Sequence, residues 1–144
     1  RSDDPAERAG AEVIPEIRPD APVVLPIDAT PEDAARVAAT AVREDRPVFI
    51  QKNQFDVFAG NPSTDALLAA LSQALRRPLE FVVVGVARDV CVTQAVDGMQ
   101  SRDYPVTALS DATWGLGLEP EKTTLARWAQ KGRVTTLSEL REEP

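Results

Sequence analysis

Residues 81–92 read FVVVGVARDVCV, and this stretch decides the fold. Residues 81–86 form a continuous apolar run without polar alternation, which is typical of a strand buried on both faces of a parallel sheet. A short turn follows, and a helix is predicted from about Cys91 to Ser101. We therefore expect a strand–turn–helix unit of an α/β protein, with Cys91 where the helix begins.

Strands and helices alternate on both sides of this unit. Thr30 and Pro31 are typical of a helix start, because threonine caps the helix and proline suits its first position. Thr136 with Glu139 indicates a short helix near the C-terminus. The other predicted elements are helices over residues 31–44, 64–75 and 119–131, and strands over residues 23–25, 47–51, 106–109 and 133–136. This alternation predicts an α/β fold with a mainly parallel sheet.

The length of 144 residues suits a single domain. We divide residues 1–144 into an irregular lead-in over residues 1–22, an α/β core over residues 23–136 and a tail over residues 137–144. The lead-in is polar and interrupted by prolines. The chain opens at Arg1 rather than at a methionine, so its first residues read like the interior of a longer polypeptide.

Composition restricts the function classes. The net charge of −7 without a basic cluster argues against nucleic acid and anionic membrane surfaces as partners. The single cysteine excludes a disulfide within the chain and fits a reducing compartment, so we expect a cytoplasmic protein. The chain contains no histidine, which excludes Cys–His and Ser–His dyads built from its own residues. We predict neither a metal site nor a cofactor.

Two side chains with useful chemistry follow predicted strands, at the sheet edge where α/β proteins bind ligands. Lys52 ends the strand of residues 47–51, and Cys91 opens a helix whose amide groups stabilise a thiolate and an oxyanion. The alternatives stay open at this point. A lone cysteine is often a small buried apolar residue, a lysine here is often only solvated, and Asp89 can simply cap the helix.

Three aromatic residues flank the strand ends, namely Phe55, Phe58 and Trp114. They are candidates to line a pocket for a flat substrate. Packing is the commoner role of aromatic residues in such positions.

Three separated segments resemble, in the right order, the isochorismatase-like cysteine hydrolases, a family that includes the nicotinamidases. The stretch GAEVIPE at residues 10–16 resembles the segment before the family's lysine strand. IQKNQFDVF at residues 50–58 resembles the strand and loop with the catalytic lysine. GVARDVCV at residues 85–92, followed by DYPV at 103–106 and the Asp111-Ala112 pair, resembles the nucleophile region.

The resemblance implies a three-layer, Rossmann-like fold and a cysteine hydrolase that cleaves a C–N bond of a small linear or heteroaryl amide. Cys91 would attack the carbonyl carbon and form a thioester, while Lys52 would assist proton transfer. The amides of Ala87 and Cys91 would form the oxyanion hole beside a cis Val86–Ala87 peptide. Relatives commonly assemble, so we also expect a homo-oligomer.

The sequence departs from the family pattern because it has no match for the family's catalytic acid. The third catalytic residue of the family is an aspartate on the first strand, and the first two strands lie between the lysine strand and the cysteine strand. Neither strand has a match here. Asp28 is an alternative acid, but the match at residues 10–16 precedes it. We therefore expect the first strands to be missing from this chain, which would be completed by another segment or a companion chain.

Two other functions compete with amide hydrolysis. A non-catalytic or incomplete member would act as a binding or assembly subunit. An isochorismatase-type activity on a vinyl ether is less favoured, because those members generally lack the nucleophilic cysteine that Cys91 supplies.

Overall fold

The structure is a computed structural model that describes residues 18–142. The segment GAEVIPE at residues 10–16 lies outside the described residues. Strands and helices alternate along the chain, which confirms the α/β prediction. In chain order the elements are β1 (Val23–Leu25), α1 (Pro31–Glu44), β2 (Val48–Ile50), α2 (Val57–Gly60), α3 (Thr64–Leu75), β3 (Phe81–Val86), a π-helical turn (Arg88–Val92), α4 (Thr93–Gln100), β4 (Val106–Trp114), α5 (Glu121–Trp128), β5 (Arg133–Thr135) and α6 (Leu137–Arg141).

The strands form two parallel sheets. One sheet contains β1 and β2, and the other has the order β3-β4-β5. Within residues 18–142 no strand pairing joins the two sheets. An ion pair of 2.6 Å between Arg102, which follows α4, and Asp65 on α3 connects the two halves.

The first half is built around α1. Thr30 caps this helix, because its Oγ1 accepts a hydrogen bond of 3.2 Å from the Asp33 amide while the Asp33 carboxylate accepts one of 2.8 Å from the Thr30 amide. This reciprocal arrangement satisfies amides that the helix leaves unpaired. The apolar face of α1 then packs in a core made of Leu25, Ala29, Ala34, Val37, Ala38 and Leu67.

The second half has α4 and α5 packed on one face of β3-β4-β5. The fully buried Trp128 on α5 lies at its centre, and its indole N–H donates to Thr93 Oγ1 at 3.2 Å. The other core residues are Val92, Val96, Met99, Val106 and Ala108. None of the helices within the described part of the chain is long and apolar enough to cross a membrane.

The prediction that β3 is buried on both faces is wrong. Phe81 and Val83 pack against the α4–α5 core, but Val82, Val84 and Val86 are 56%, 55% and 71% exposed. Successive side chains of a strand point to opposite faces. In the part of the chain that the structure describes, the helices of this half cover only one of those faces.

Several element boundaries also differ from the sequence prediction, and the helix predicted over residues 119–131 extends only from Glu121 to Trp128. The helical path before α4 begins at Arg88 rather than at Cys91. Strand β4 continues to Trp114, because after an irregularity in register Thr113 pairs with Gly85 and Trp114 pairs with Val86. Residues predicted as the tail contain α6, whose capping box of Thr136 and Glu139 confirms the predicted short helix.

Candidate active site

Lys52 lies just beyond the carboxyl end of β2, where the chain curls around its side chain. Its Nζ donates hydrogen bonds of 2.7 Å to the Gln54 carbonyl and 3.0 Å to the Phe55 carbonyl. Two of the three ammonium donors are thereby used. The loop therefore holds the amine close to its own backbone and leaves one donor for another partner.

Cys91 lies in the π-helical turn that joins β3 to α4. The Val86–Ala87 peptide bond before this turn is cis. The Ala87 carbonyl accepts hydrogen bonds of 3.1 Å from the amides of both Val90 and Val92, which closes the turn on either side of Cys91. The thiol is free and half-buried, so it is both held in place and accessible.

The structure brings Lys52 and Cys91 to one open cavity of about 1130 Å³. The same cavity has uncharged polar walls and one aromatic wall, formed by Asn53, Gln54, Phe55 and Gln94. A second cavity, of about 600 Å³, lies on the β2 side of Lys52. The first cavity combines a thiol, an amine and three side-chain amides, which is a set suited to binding and attacking a polar carbonyl compound.

The three predicted pocket aromatics have different positions. Phe55 is 63% exposed and lines the shared cavity. Phe58 packs against α4, and the Arg102 guanidinium stacks 3.7 Å from its ring centroid. Trp114 is 77% exposed and pairs in register with Val86. Among the described residues, Phe55 is thus the aromatic of this set that joins Lys52 and Cys91.

Asp89 does not cap the helix, the role that the sequence suggests for it, and binds the loop after β4 instead. Its carboxylate accepts backbone hydrogen bonds from Leu116 at 2.8 Å, Leu118 at 2.7 Å and Glu119 at 3.4 Å. The Leu116 amide is the main reason that the pKa of Asp89 is lowered to about 2, because hydrogen bonds to a carboxylate favour its charged form. Asp89 therefore fastens the turn that carries Cys91 to the loop after β4.

Arg88 forms a second connection between the turn of Cys91 and the elements that follow it, and the sequence did not indicate this connection. Its side chain is buried, donates to the Thr113 carbonyl at 3.2 Å and forms an ion pair of 3.1 Å with Glu121. The partners of Arg88 and Asp89 lie 25 to 33 positions along the chain, so no local pattern reveals them. Together these two residues hold the turn of Cys91 from the side of β4 and α5.

The alternative acid Asp28 lies elsewhere. It lines a separate cavity of about 400 Å³ together with Val24 and Arg36. No carboxylate from residues 18–142 lines the cavity of Lys52 and Cys91. Within the same residues no group of three or more His, Cys, Asp or Glu side chains is placed to hold a metal ion.

Comparisons with known proteins agree with this architecture. A family model described as the isochorismatase domain matches residues 26–139. An isochorismatase-like hydrolase from Alkaliphilus metalliredigens is 20% identical, with a TM-score of 0.54 over 68% of this chain. The nicotinamidase of Staphylococcus aureus is 20% identical, with a TM-score of 0.52 over 69% of this chain. No curated protein sequence matches the chain significantly.

The solved structures are longer than the matched region. A cysteine hydrolase from Pseudomonas syringae pv. phaseolicola is 21% identical, with a TM-score of 0.50 over 67% of this chain. The present chain covers 51% of the Alkaliphilus protein, 62% of the Staphylococcus protein and 47% of the Pseudomonas protein. These likenesses establish a shared fold over about half the length of those proteins.

Proposed function

The chain belongs to the isochorismatase family of hydrolases, and from this premise we propose that it cleaves the C–N bond of a small amide, with Cys91 as the nucleophile. The observation that carries the proposal is that Cys91 and Lys52 line the same open cavity. A thiol and an amine that share a cavity supply the two functions that acyl transfer needs, a nucleophile and a proton carrier.

The reaction is proposed to run through a thioester. The Cys91 thiolate forms an S–C bond to the amide carbonyl carbon, and the carbonyl electrons move to oxygen. When they return, the C–N bond breaks and the nitrogen leaves as ammonia or an amine with a proton from Lys52 Nζ. Water then attacks the thioester, releases the carboxylic acid and restores the thiolate, while the amine of Lys52 regains a proton.

The turn before Cys91 is proposed to stabilise the oxyanion. The backbone amides of Ala87 and Cys91 are the candidate donors, because both belong to the turn that carries the sulfur. The side-chain amides of Asn53 and Gln94 are available for a polar substrate, and Phe55 for its flat or apolar part. We accordingly favour an uncharged small amide, linear or heteroaryl, as the substrate class.

The carboxylate that completes the site is proposed to come from a companion segment, either of a longer chain, of a second copy or of another protein. Two observations support this proposal. Val82 and Val84 of β3 present an apolar face to solvent, and the solved relatives contain additional length beyond the matched region. A segment that covers this face would lie next to the strand that leads to Cys91.

The test is ammonia release from a panel of small amides. Cys91→Ala should abolish release, and Lys52→Met should lower it by about 10²- to 10⁴-fold, the range typical of a lost proton-transfer group. Lys122→Met is the matched control, since Lys122 is an exposed lysine on α5. Iodoacetamide reacts at one site only, because Cys91 is the single cysteine, and its reaction should stop ammonia release.

The competing proposal is a non-catalytic binding or assembly subunit. It is favoured by the lack of a carboxylate among the residues of 18–142 that line the cavity. If Cys91→Ala matches the unmodified chain in every assay, including assays with added partner proteins, catalysis by Cys91 is excluded and the binding role stands.

A further inference from the structure

Asn61 is a buried amide that bridges the chain segments just after the two strands of the first half. Its side chain is fully buried, and its Nδ2 donates to the Gln51 carbonyl at 2.9 Å and to the Pro26 carbonyl at 3.0 Å. Its Oδ1 accepts a hydrogen bond of 3.0 Å from the Ser63 amide. Every donor of the amide is therefore used, which is what a buried polar group requires.

The Gln51 carbonyl is the group directly before Lys52, so Asn61 fixes the backbone from which the lysine departs. The neighbouring Gly60 holds the same segment from another side. A Cβ at Gly60 would lie 2.9 Å from Lys52 Cβ and 3.0 Å from the Gln54 amide. The Gly60 carbonyl also accepts a hydrogen bond of 3.3 Å from Asn53. The backbone of Gly60 therefore packs directly on the lysine loop.

Residues 60–63 thus form a clamp on the lysine loop, and this clamp is also attached to the unit of β1 and α1. Asn61 reaches Pro26 just after β1, and Ser63 Oγ donates to the Ala29 carbonyl at 2.5 Å. The clamp thus ties three segments together: the loop after β1, the start of the lysine loop and the start of α3.

We propose that Asn61 is a positioning residue that sets the direction in which Lys52 presents its amine to the cavity of Cys91. The catalytic importance of this inference rests on the proposed role of Lys52. The position of the Lys52 amine can be measured without any assay of catalysis. Two ammonium donors of Lys52 are held by Gln54 and Phe55. The geometry of these two hydrogen bonds depends on the backbone path of residues 51–55, and Asn61 fixes that path at Gln51.

The experiment measures the reactivity of each lysine in the 144-residue chain, by brief acetylation with an N-hydroxysuccinimide ester and mass spectrometry. Lys122 and Lys131, both exposed, are internal references. Asn61→Ala should raise labelling at Lys52 relative to these references by about fivefold, the factor that corresponds to the loss of one of the two hydrogen bonds that hold the Lys52 ammonium.

The matched control is Gln100→Ala, which removes another buried amide. Gln100 Nε2 donates to the Trp128 carbonyl at 2.9 Å in the second half of the molecule. This variant should leave labelling at Lys52 unchanged. Should Asn61→Ala fail to fold, Asn61→Ser takes its place, since the shorter hydroxyl side chain carries one donor instead of the two that Nδ2 gives to Pro26 and Gln51.

A second readout separates this inference from the proposed reaction. The rate at which iodoacetamide alkylates Cys91 at one fixed neutral pH should fall in Asn61→Ala and stay constant in Gln100→Ala. If labelling at Lys52 changes while the alkylation rate does not, Asn61 positions Lys52 but Lys52 does not assist the thiol. Unchanged labelling at Lys52 in Asn61→Ala, or in Asn61→Ser where that variant replaces it, overturns the inference.

Discussion

At the scale of single residues, Gly98 on α4 leaves space for the ring of Phe58. A Cβ at this position would lie 2.5 and 2.6 Å from two ring carbons of Phe58. That ring is held from another side by the Arg102 guanidinium at 3.7 Å. Because Phe58 is enclosed in this way, a methyl group at Gly98 has no free volume to enter.

Gly98→Ala is therefore expected to destabilise the chain despite the better helix propensity of alanine. Overpacking costs about 1–3 kcal/mol, and the helical gain is at most about 1 kcal/mol. The expected sum is a loss of about 1 kcal/mol in the free energy of unfolding, measured by urea denaturation. In a Phe58→Ala background the ring is absent, so the same substitution should become stabilising. A destabilising effect of equal size in both backgrounds would contradict this explanation.

The site residues show what sequence can reveal at this scale. Lys52 and Cys91 were predicted because each follows a strand and lies in a stretch that resembles a known family. Asn61 was not, because GNP at residues 60–62 reads as an ordinary turn. Its role depends on Pro26 and Gln51, which lie 35 and 10 positions away. Such a contact arises from tertiary packing, and no local pattern encodes it.

At the scale of elements, Asp89 joins the turn that carries Cys91 to the loop after β4, so that the two form one unit. Its pKa of about 2 lies below its ordinary value of 3.8. The charged form is thus favoured in the folded state, and its contribution to stability is complete above the ordinary pKa. That contribution is lost as the pH falls from about 4 toward 2.

The prediction concerns Asp89→Asn, which removes this charge. The unmodified chain should be more stable than the variant at pH 7, and the difference should shrink as the pH falls from about 4 toward 2. Urea unfolding at a series of pH values measures it, with Asp103→Asn as a control for the same chemical change at an exposed aspartate. A difference between unmodified chain and Asp89→Asn that persists undiminished at pH 2.5 would refute the assignment.

Local signals predicted α1 and α6 well, because both are encoded by residues close in sequence. Thr30 with Asp33, and Thr136 with Glu139, form the capping boxes that begin these helices. The length of β4 could not be predicted in this way. The predicted strand ends at residue 109, and β4 continues beyond it because Thr113 pairs with Gly85 after a change of register.

At the scale of the whole molecule, strand β3 has one apolar face that is open to solvent. The sequence predicts a strand buried on both faces, whereas the described residues cover one face only. Val83 packs against the core with α4, whereas the adjacent Val84 is 55% exposed. Two neighbouring valines in one strand therefore report separately on the two faces of the sheet.

Replacing each valine by threonine tests whether a companion segment covers the open face. Val83→Thr buries a hydroxyl group and should cost about 1–3 kcal/mol in the free energy of unfolding. Val84→Thr should change it by no more than about 0.5 kcal/mol in the isolated 144-residue chain, because the side chain is solvated. Urea denaturation of both variants, combined with measurement of the native mass, gives these values.

The same pair of variants distinguishes a covered sheet from an open one in the functional assembly. If a companion segment packs on β3, Val84→Thr should become as costly as Val83→Thr when the partner is present, because both valines are then buried. It should also weaken association, whereas Val83→Thr should act on folding alone. If the isolated chain unfolds cooperatively as a monomer and Val84→Thr is neutral under every condition, β3 needs no cover. The acid for Cys91 and Lys52 must then be sought among residues of this chain.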